Sequence, residues 1–211
     1  MNVNWGTKMA AIGLLAAVLV AGCSSSTPRY SAVFSPTPEP VISAAVAPSG
    51  GASAAASVDT SGWIEFAPAG ASLSVLMPSQ PVASTAPMKT PIGTASNTSW
   101  TYTGPAHRVF FATDVKFPAG ALAKAPAKSV LDGATPVIVA TVPGAKLSAQ
   151  SDVTLGGHQG RSISYGTDKI AVACHIYVVG DDIEGVCSVQ PAGQADDGQA
   201  QAFLASFQLT A

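Results

Sequence analysis

A change in composition near residue 62 constrains most strongly what this 211-residue chain can fold into. Residues 24 to 60 are rich in Ser, Ala, Pro and Gly, carry only Arg29, Glu39 and Asp59 as charges, and show no periodicity. From Trp63 onward, β-branched residues alternate with polar ones and turn residues recur. We therefore expect one folded domain over 62–211. A flexible tether over 23–61, with a reach of roughly 35 Å, precedes it.

The alternative for the tether is that part of it packs on the domain as an irregular arm. Tyr30, Val33 and Phe34 are the residues that would make such contacts.

The N-terminal segment has the pattern of an export signal. Lys8 precedes an apolar run from Met9 to Ala21, which is too short for an ordinary transmembrane helix. The run ends in Leu19-Val20-Ala21-Gly22-Cys23, which resembles the bacterial lipobox. This resemblance implies a signal peptide over 1–22 and a lipidated, palmitate-bearing Cys23, whose acyl chains each contribute about 0.8 kcal/mol per buried CH₂. The alternative is an ordinary secretory signal in which Cys23 lies near the cleavage site by coincidence.

The charge content narrows the range of partners. Charged residues make up 10% of the chain and the formal net charge is -2, so neither a nucleic-acid-binding face nor a polybasic membrane patch is expected. The lipid anchor is then the predicted membrane contact. It would keep the exported protein in the bacterial cell envelope, periplasmic or on the outer surface, where an envelope protein or a small ligand is the expected partner.

Strand patterns dominate the predicted domain. The first two strands, Trp63 to Phe66 and Leu73 to Met77, are expected to pair antiparallel. The remaining candidates are Thr94 to Thr103, Arg108 to Phe117, Leu147 to Leu155, Gln159 to Tyr165, Lys169 to Val179 and Asp182 to Gln190.

Two helical patterns interrupt the strands. The first begins at Pro126, and Pro136 is expected to kink or split it; its apolar face is Val130, Leu131, Ala134 and Ile138. The second follows Asp196 and Asp197, which favour the positive end of a helix dipole; its apolar face is Ala200, Phe203, Leu204 and Phe207. Consecutive strands with helices late in each half predict an α+β fold, an antiparallel β-sheet covered by helices.

Several short segments follow one another in a characteristic order: Trp63 to Phe66, Leu73 to Met77 with Pro78 and Pro81, Pro91-Ile92-Gly93, Val130 to Ala134, Leu155-Gly156-Gly157 with Gly160-Arg161, Tyr177 to Gly180, and Phe203-Leu204 with Ser206-Phe207. In this order they resemble small exported bacterial proteins of the PsbP-like and Mog-like fold, and mycobacterial LpqN-type lipoproteins are similar in plan. The resemblance implies an α/β/α sandwich in a superfamily of accessory and binding proteins without a shared catalytic site. After Gly180, Ile183-Glu184 departs from the Arg- and Tyr-containing start expected of the next strand, so no contact there is carried over.

Cys174 and Cys187 flank a predicted hairpin. Its turn is Gly180-Asp181, with Gly in the first central position, as a type II′ turn prefers. Counting outward from this turn places the two cysteines directly opposite each other in a non-hydrogen-bonded pair, where Cα atoms approach most closely. Because export leads to an oxidising compartment and Cys23 is taken up by lipid, we expect a cross-strand disulfide. The alternative is two reduced core cysteines in a slipped register.

No familiar catalytic or metal-binding motif is present. His107, His158 and His175 lack paired metal spacing, and neither GxSxG nor SxxK occurs. We therefore expect no catalytic residue, no metal and no cofactor. The acidic group Asp181, Asp182 and Glu184 is interpreted as a solvated hairpin tip, because its spacing is not that of an EF-hand loop.

Trp63 and Trp100 have two interpretations. Both could line a pocket for an apolar ligand or sugar, but large aromatic residues in strands are predicted to be core.

The function hypothesis combines these predictions. We expect a lipid-anchored cell-envelope protein of a non-enzymatic accessory or binding type. One alternative is an envelope hydrolase or transferase, which requires a cleft where a histidine meets a carboxylate or hydroxyl. Another is a carrier of a small apolar ligand, which requires a large cavity between helices and sheet.

Overall fold

The computed structural model describes residues 58–90, 92–194 and 198–210. The predicted signal peptide, Cys23, most of the predicted tether, and the helix-start residues Asp196 and Asp197 lie outside the described residues. The strands are β1 (Ile64–Phe66), β2 (Leu73–Met77), β3 (Val82–Thr90), β4 (Gly93–Thr103), β5 (Val109–Lys116), β6 (Lys146–Leu155), β7 (His158–Gly166), β8 (Ile170–Val179), β9 (Asp182–Pro191) and β10 (Gln208–Leu209). The helices are α1 (Ala127–Ala140) and α2 (Gly198–Ala205).

The central element is a seven-stranded antiparallel sheet in the order β3-β4-β5-β9-β8-β7-β6. A smaller sheet, in the order β1-β2-β10, packs with α2 on one face, and α1 packs on the other. This confirms the predicted α+β class, with an antiparallel sheet covered by helices. The predicted antiparallel pairing of β1 with β2 is also confirmed, with Phe66 opposite Val75.

Alternation along the strands creates two cores, one on each face of the large sheet, because successive side chains point to opposite sides. On the α2 side, Phe110, Val186 and Phe203 are buried with the residues of β2. On the α1 side, Leu131, Ile163 and Ile176 are buried. Trp100 is buried in the first core and Trp63 packs against it, so the core interpretation of both residues is confirmed.

Helix α1 begins immediately after Pro126, as predicted, and runs without interruption through Pro136. Of the two effects expected of Pro136, a kink or a split, the split is wrong. Pro136 lies on the exposed side, while Leu131 and Thr135 are buried against the sheet, so packing holds the helix where one backbone hydrogen bond is missing. The Thr135 hydroxyl also donates to the Leu131 carbonyl at 2.8 Å, inside the same turn.

Strand β3 is the main element that the sequence patterns did not predict. It pairs with β4 along its whole length, from Val82 opposite Thr101 to Thr90 opposite Gly93. Most of its side chains are exposed because it is an edge strand, so no apolar alternation marks it. Pro87 is tolerated there because an edge strand has one side without ladder hydrogen bonds.

Within the described part of the chain, no helix has the length and apolar character needed to cross a membrane.

Candidate functional site

Three carboxylates converge where β5 and β9 run side by side. Asp114 lies opposite Glu184 in the strand register, and Lys116 lies opposite Asp182. One carboxylate oxygen from each of Asp114, Asp182 and Glu184 lies within 4.8 Å of the others. We call these three residues the carboxylate cluster.

The cluster continues a core face of the sheet. On β5, Phe110 and Ala112 are buried toward α2, and Asp114 and Lys116 follow on the same face at the two-residue spacing of a strand. On β9, Val186 is buried on that face, and Glu184 precedes it by two residues. The polar group therefore lies at the end of an apolar layer, where residues 70–72 before β2 lie against it.

The cluster is buried to different depths. Glu184 is 0% exposed and Asp114 2% exposed, while the side chain of Asp182 is 26% exposed. A buried carboxylate needs a compensating charge or hydrogen bond, because its transfer out of water is costly. The contacts around these three groups therefore decide what the cluster can do.

Two neighbours supply part of this compensation. The backbone N–H of Ser72 donates to Glu184 Oε1 at 2.7 Å. Lys116 Nζ lies 3.4 Å from Asp114 Oδ2 and 3.8 Å from Asp182 Oδ2, and also donates to the carbonyl of Gly70. One cation thus serves two of the three carboxylates.

Burial perturbs the protonation of all three groups. It raises the pKa of Glu184 to about 7, with Asp114 and Asp182 adding to the rise and the Ser72 N–H and Lys116 opposing it. Burial also raises the pKa of Asp114 and of Asp182, with Lys116 opposing both shifts. The site therefore disfavours three negative charges when only Lys116 balances them.

Two oxygens of the cluster are left without a partner. Asp114 Oδ1 and Glu184 Oε2 are buried and form no hydrogen bond within the residues that the structure describes. A buried acceptor without a partner costs about 1–3 kcal/mol, and more when it is charged. These two oxygens require an explanation beyond packing.

The expectation of a solvated hairpin tip is wrong for Glu184, which is fully buried. Asp181, at the tip itself, accepts hydrogen bonds from the N–H groups of Gly120 at 2.6 Å and Leu122 at 3.0 Å, which lower its pKa. Asp181 therefore anchors the loop after β5, whereas Asp182 and Glu184 belong to the carboxylate cluster. The sequence did not indicate Asp114 as their neighbour, because only the pairing of β5 with β9 brings it there.

The cysteine hairpin has the predicted register. Cys174 lies opposite Cys187, with Cα atoms 4.1 Å apart, and the two Sγ atoms lie at a bonding distance of 2.11 Å. Gly180 has a φ of 62°, and Asp181 is not among the residues with a positive φ. This is the pattern that a type II′ turn requires. The geometry thus accommodates a cross-strand disulfide on the α1 side of the sheet.

Replacing both Cys174 and Cys187 by alanine is expected to lower the free energy of unfolding by about 3 kcal/mol, because the unfolded chain loses a constraint. Chemical denaturation of the exported protein measures this change. As a control, reductant should destabilise the wild-type protein by a similar amount and leave the double variant unchanged. Mass spectrometry that found free thiols at both positions in natively exported protein would contradict the disulfide.

The three histidines remain apart. His107 is exposed in a short turn, His158 begins β7, and His175 is half-buried on β8, where burial lowers its pKa. Among the described residues, the carboxylate cluster is the group of three or more His, Cys, Asp or Glu side chains that lie close enough to bind one ion together. It contains no histidine.

A second polar group lies on the opposite side of the sheet. Arg161 on β7 is 3% exposed and donates to Asp152 on β6, through Nη2 at 2.9 Å, and to Asp132 on α1, through Nη1 at 2.7 Å. Its guanidinium ties the helix to the edge of the sheet and lowers the pKa of Asp132. Next to it lies an open groove of about 500 Å³, lined by Asp132, Thr135, Pro136, Val139, Ala140, Ala145, Leu147, Gln150 and Arg161.

Fold and site together define an α+β sandwich domain with a buried carboxylate cluster at one end of its sheet. No protein-family model matches the chain, and no curated protein matches it. It is similar to the solution structure of cyanobacterial PsbP (CyanoP) from Synechocystis sp. PCC 6803, with 10% identity, 76% of this chain and 96% of that chain covered, and a TM-score of 0.48. It is also similar to the protein of unknown function PA94 from Pseudomonas aeruginosa, with 13% identity, 66% and 90% covered, and a TM-score of 0.39. Neither likeness assigns an activity to this chain.

Proposed function

We propose that this chain is a lipid-anchored protein of the bacterial cell envelope, of a non-enzymatic accessory or binding type. The observation that carries the proposal is the segment Leu19 to Cys23, which resembles a lipobox and follows the charged and apolar regions of an export signal. Lipidated Cys23 would hold the mature protein at a membrane surface, and the low-charge segment up to residue 61 would display the α+β domain away from the lipid.

The composition of the chain supports this arrangement. With 10% charged residues, the domain has little capacity to bind a membrane through a basic surface, so attachment depends on the acyl chains. Two or more acyl chains provide a stable anchor without such a surface. A disulfide between Cys174 and Cys187 would suit the oxidising compartment to which an exported domain is delivered.

Replacing Cys23 by alanine is expected to abolish lipidation and to release the protein from the membrane fraction. Metabolic labelling with palmitate and fractionation of cells that express the full chain measure the two effects. The matched control is Ser24→Ala, which changes the neighbouring residue and should leave lipidation and fractionation unchanged. A Cys23→Ala protein that still carried label and sedimented with membranes would contradict the proposal.

Crosslinking in intact cells, followed by pull-down, tests the binding role. Wild-type protein is expected to crosslink to specific envelope proteins, and the Cys23→Ala variant to lose those crosslinks because it leaves the membrane surface. If the wild-type protein is anchored and crosslinks to no protein, a small ligand or an enzymatic role becomes the better hypothesis.

A further inference from the structure

We propose that Asp114, Asp182 and Glu184 bind one divalent, oxygen-preferring cation, and that Ca²⁺ is the ion that fits the site. This assignment differs from the expectation of no metal, which rested on the lack of paired metal spacing among the histidines and of EF-hand spacing in the acidic group. It does not depend on the lipid anchor, so either proposal can fail without the other.

The spacing of the oxygens is compatible with one bound Ca²⁺ ion. Two oxygens bound to one ion are at most twice the ion–oxygen distance apart, which is about 4.8 Å for Ca²⁺ and about 4.2 Å for Mg²⁺. In the carboxylate cluster, one oxygen of each residue lies within 4.8 Å of the others. This spacing is within the reach of Ca²⁺, which also tolerates irregular geometry, whereas Mg²⁺ demands near-ideal octahedral geometry and gives up its water reluctantly.

The two oxygens without partners point to a bound ligand. Asp114 Oδ1 and Glu184 Oε2 are buried and accept no hydrogen bond from the described residues, and their side chains are 2% and 0% exposed. A cation between the carboxylates would coordinate both oxygens and remove the cost of leaving them bare. Packing alone offers no such compensation, because the neighbouring core side chains are apolar.

The charge balance also favours a divalent ion. With all three carboxylates ionised, the group carries three negative charges, of which Lys116 balances one. A divalent cation in place of Lys116 would balance two of them. All the donor atoms of the cluster are carboxylate oxygens, which suit Ca²⁺ rather than ions that prefer imidazole or thiolate ligands.

Lys116 is positioned to give way to the ion. Its side chain is 47% exposed, so the ammonium can turn toward solvent when a cation enters. The Gly70 carbonyl, which now accepts a hydrogen bond from Lys116, would then be a neutral oxygen beside the site. Competition from Lys116 places the expected dissociation constant in the weak range of about 10⁻⁴–10⁻³ M that is typical of extracellular calcium modules.

Titration of the full-length, detergent-solubilised protein with calcium chloride, after treatment with a chelator, tests the proposal by calorimetry. We expect one ion per chain and a higher melting temperature in calcium than in chelator. Asp182→Asn should weaken binding about tenfold or more, because it removes one of three charged ligands. Asp182 is chosen because it is the least buried of the three, so the variant is expected to fold. The matched control, Asp168→Asn, changes an exposed aspartate between β7 and β8 and should bind like wild type.

Lys116→Gln separates a cation site from a simple ion-pair cluster. If the cluster binds calcium, removing the competing ammonium should tighten binding about tenfold, because Nζ lies 3.4 Å from Asp114 Oδ2 and 3.8 Å from Asp182 Oδ2 and repels a cation there. If Lys116 is the natural counter-ion, the variant is destabilised and does not respond to calcium. Magnesium chloride, tested in parallel, should bind more weakly.

Three results would overturn the proposal. One is the absence of calcium-dependent heat and stabilisation in both wild type and Lys116→Gln, which would mean that protons and Lys116 alone neutralise the cluster. Another is calcium binding that Asp182→Asn leaves unchanged, which would place the ion elsewhere. The third is tighter binding of magnesium than of calcium.

Discussion

Replacing Phe203 by alanine is expected to lower the free energy of unfolding by about 3–5 kcal/mol. Phe203 is fully buried where α2 packs on the large sheet, and its ring stacks on that of Phe110 with centroids 4.8 Å apart. The substitution removes the apolar contact, leaves a cavity between helix and sheet, and loses a stacked aromatic pair. Urea denaturation of the wild-type and variant proteins measures the difference.

The matched control lies on the same helix. Gln201→Ala removes an exposed side chain of α2 and should change stability by less than about 0.5 kcal/mol. If Phe203→Ala were as mild as this control, α2 would not be packed on the sheet, and the first core would have a different composition from the one described.

Replacing Gly160 by alanine is expected to lower the free energy of unfolding by about 3 kcal/mol. A Cβ atom at this position of β7 would lie 2.3 Å from Cδ1 of the Tyr177 ring and 2.5 Å from the carbonyl oxygen of Ile176. Neither neighbour can easily move, because the oxygen belongs to the sheet backbone and the ring stacks on Phe207 with centroids 5.6 Å apart. Thermal or urea denaturation measures the loss.

At a second glycine, replacement by alanine is expected to raise the free energy of unfolding. Gly133 lies on the exposed face of α1, and a Cβ there meets nothing within 4 Å. Gly133→Ala should therefore stabilise the protein by about 0.5–1 kcal/mol through helix propensity and reduced entropy of the unfolded chain. A Gly160→Ala variant that was as stable as wild type would show that β7 and β8 do not pair at this close approach.

Phe203 and Gly160 are both linked to the carboxylate cluster through the large sheet. Tyr177 lies opposite Gly160 on β7 and opposite Glu184 on β9, so its side chain and that of Glu184 are neighbours on the α2 side of the sheet. Phe110, which stacks on Phe203, precedes Asp114 by four residues on the same face of β5. The apolar core on the α2 side therefore sets the burial of Asp114 and Glu184.

Local patterns were sufficient for much of the fold. The Cys174–Cys187 register follows from one turn, because Gly180 and Asp181 set the alignment of the strands that they join. The apolar faces of α1 and α2 follow from the helical period, with Leu131 and Phe203 buried as predicted. Strand β3 could not be found in this way, because an exposed edge strand has no buried side to produce an alternation.

The candidate site depended on contacts between distant parts of the chain. The sequence indicated Asp182 and Glu184 as an acidic group and predicted that it is solvated. Nothing in their own segment shows that Ser72 and β5 lie against them. The choice of β5 as the neighbour of β9 is made by the packing of the whole sheet, which buries Phe110 and Val186 under α2.

By itself, the sequence determined the class of the fold, the hairpin register and the helix faces, since each depends on a short-range period or a single turn. It also predicts the export signal and the lipid anchor at Cys23. Only the tertiary structure decided that Asp114, Asp182 and Glu184 share one buried space, with two oxygens left without partners. The physical reason is that burial and charge coupling arise between strands far apart in the chain, whose pairing depends on the free energy of the complete core.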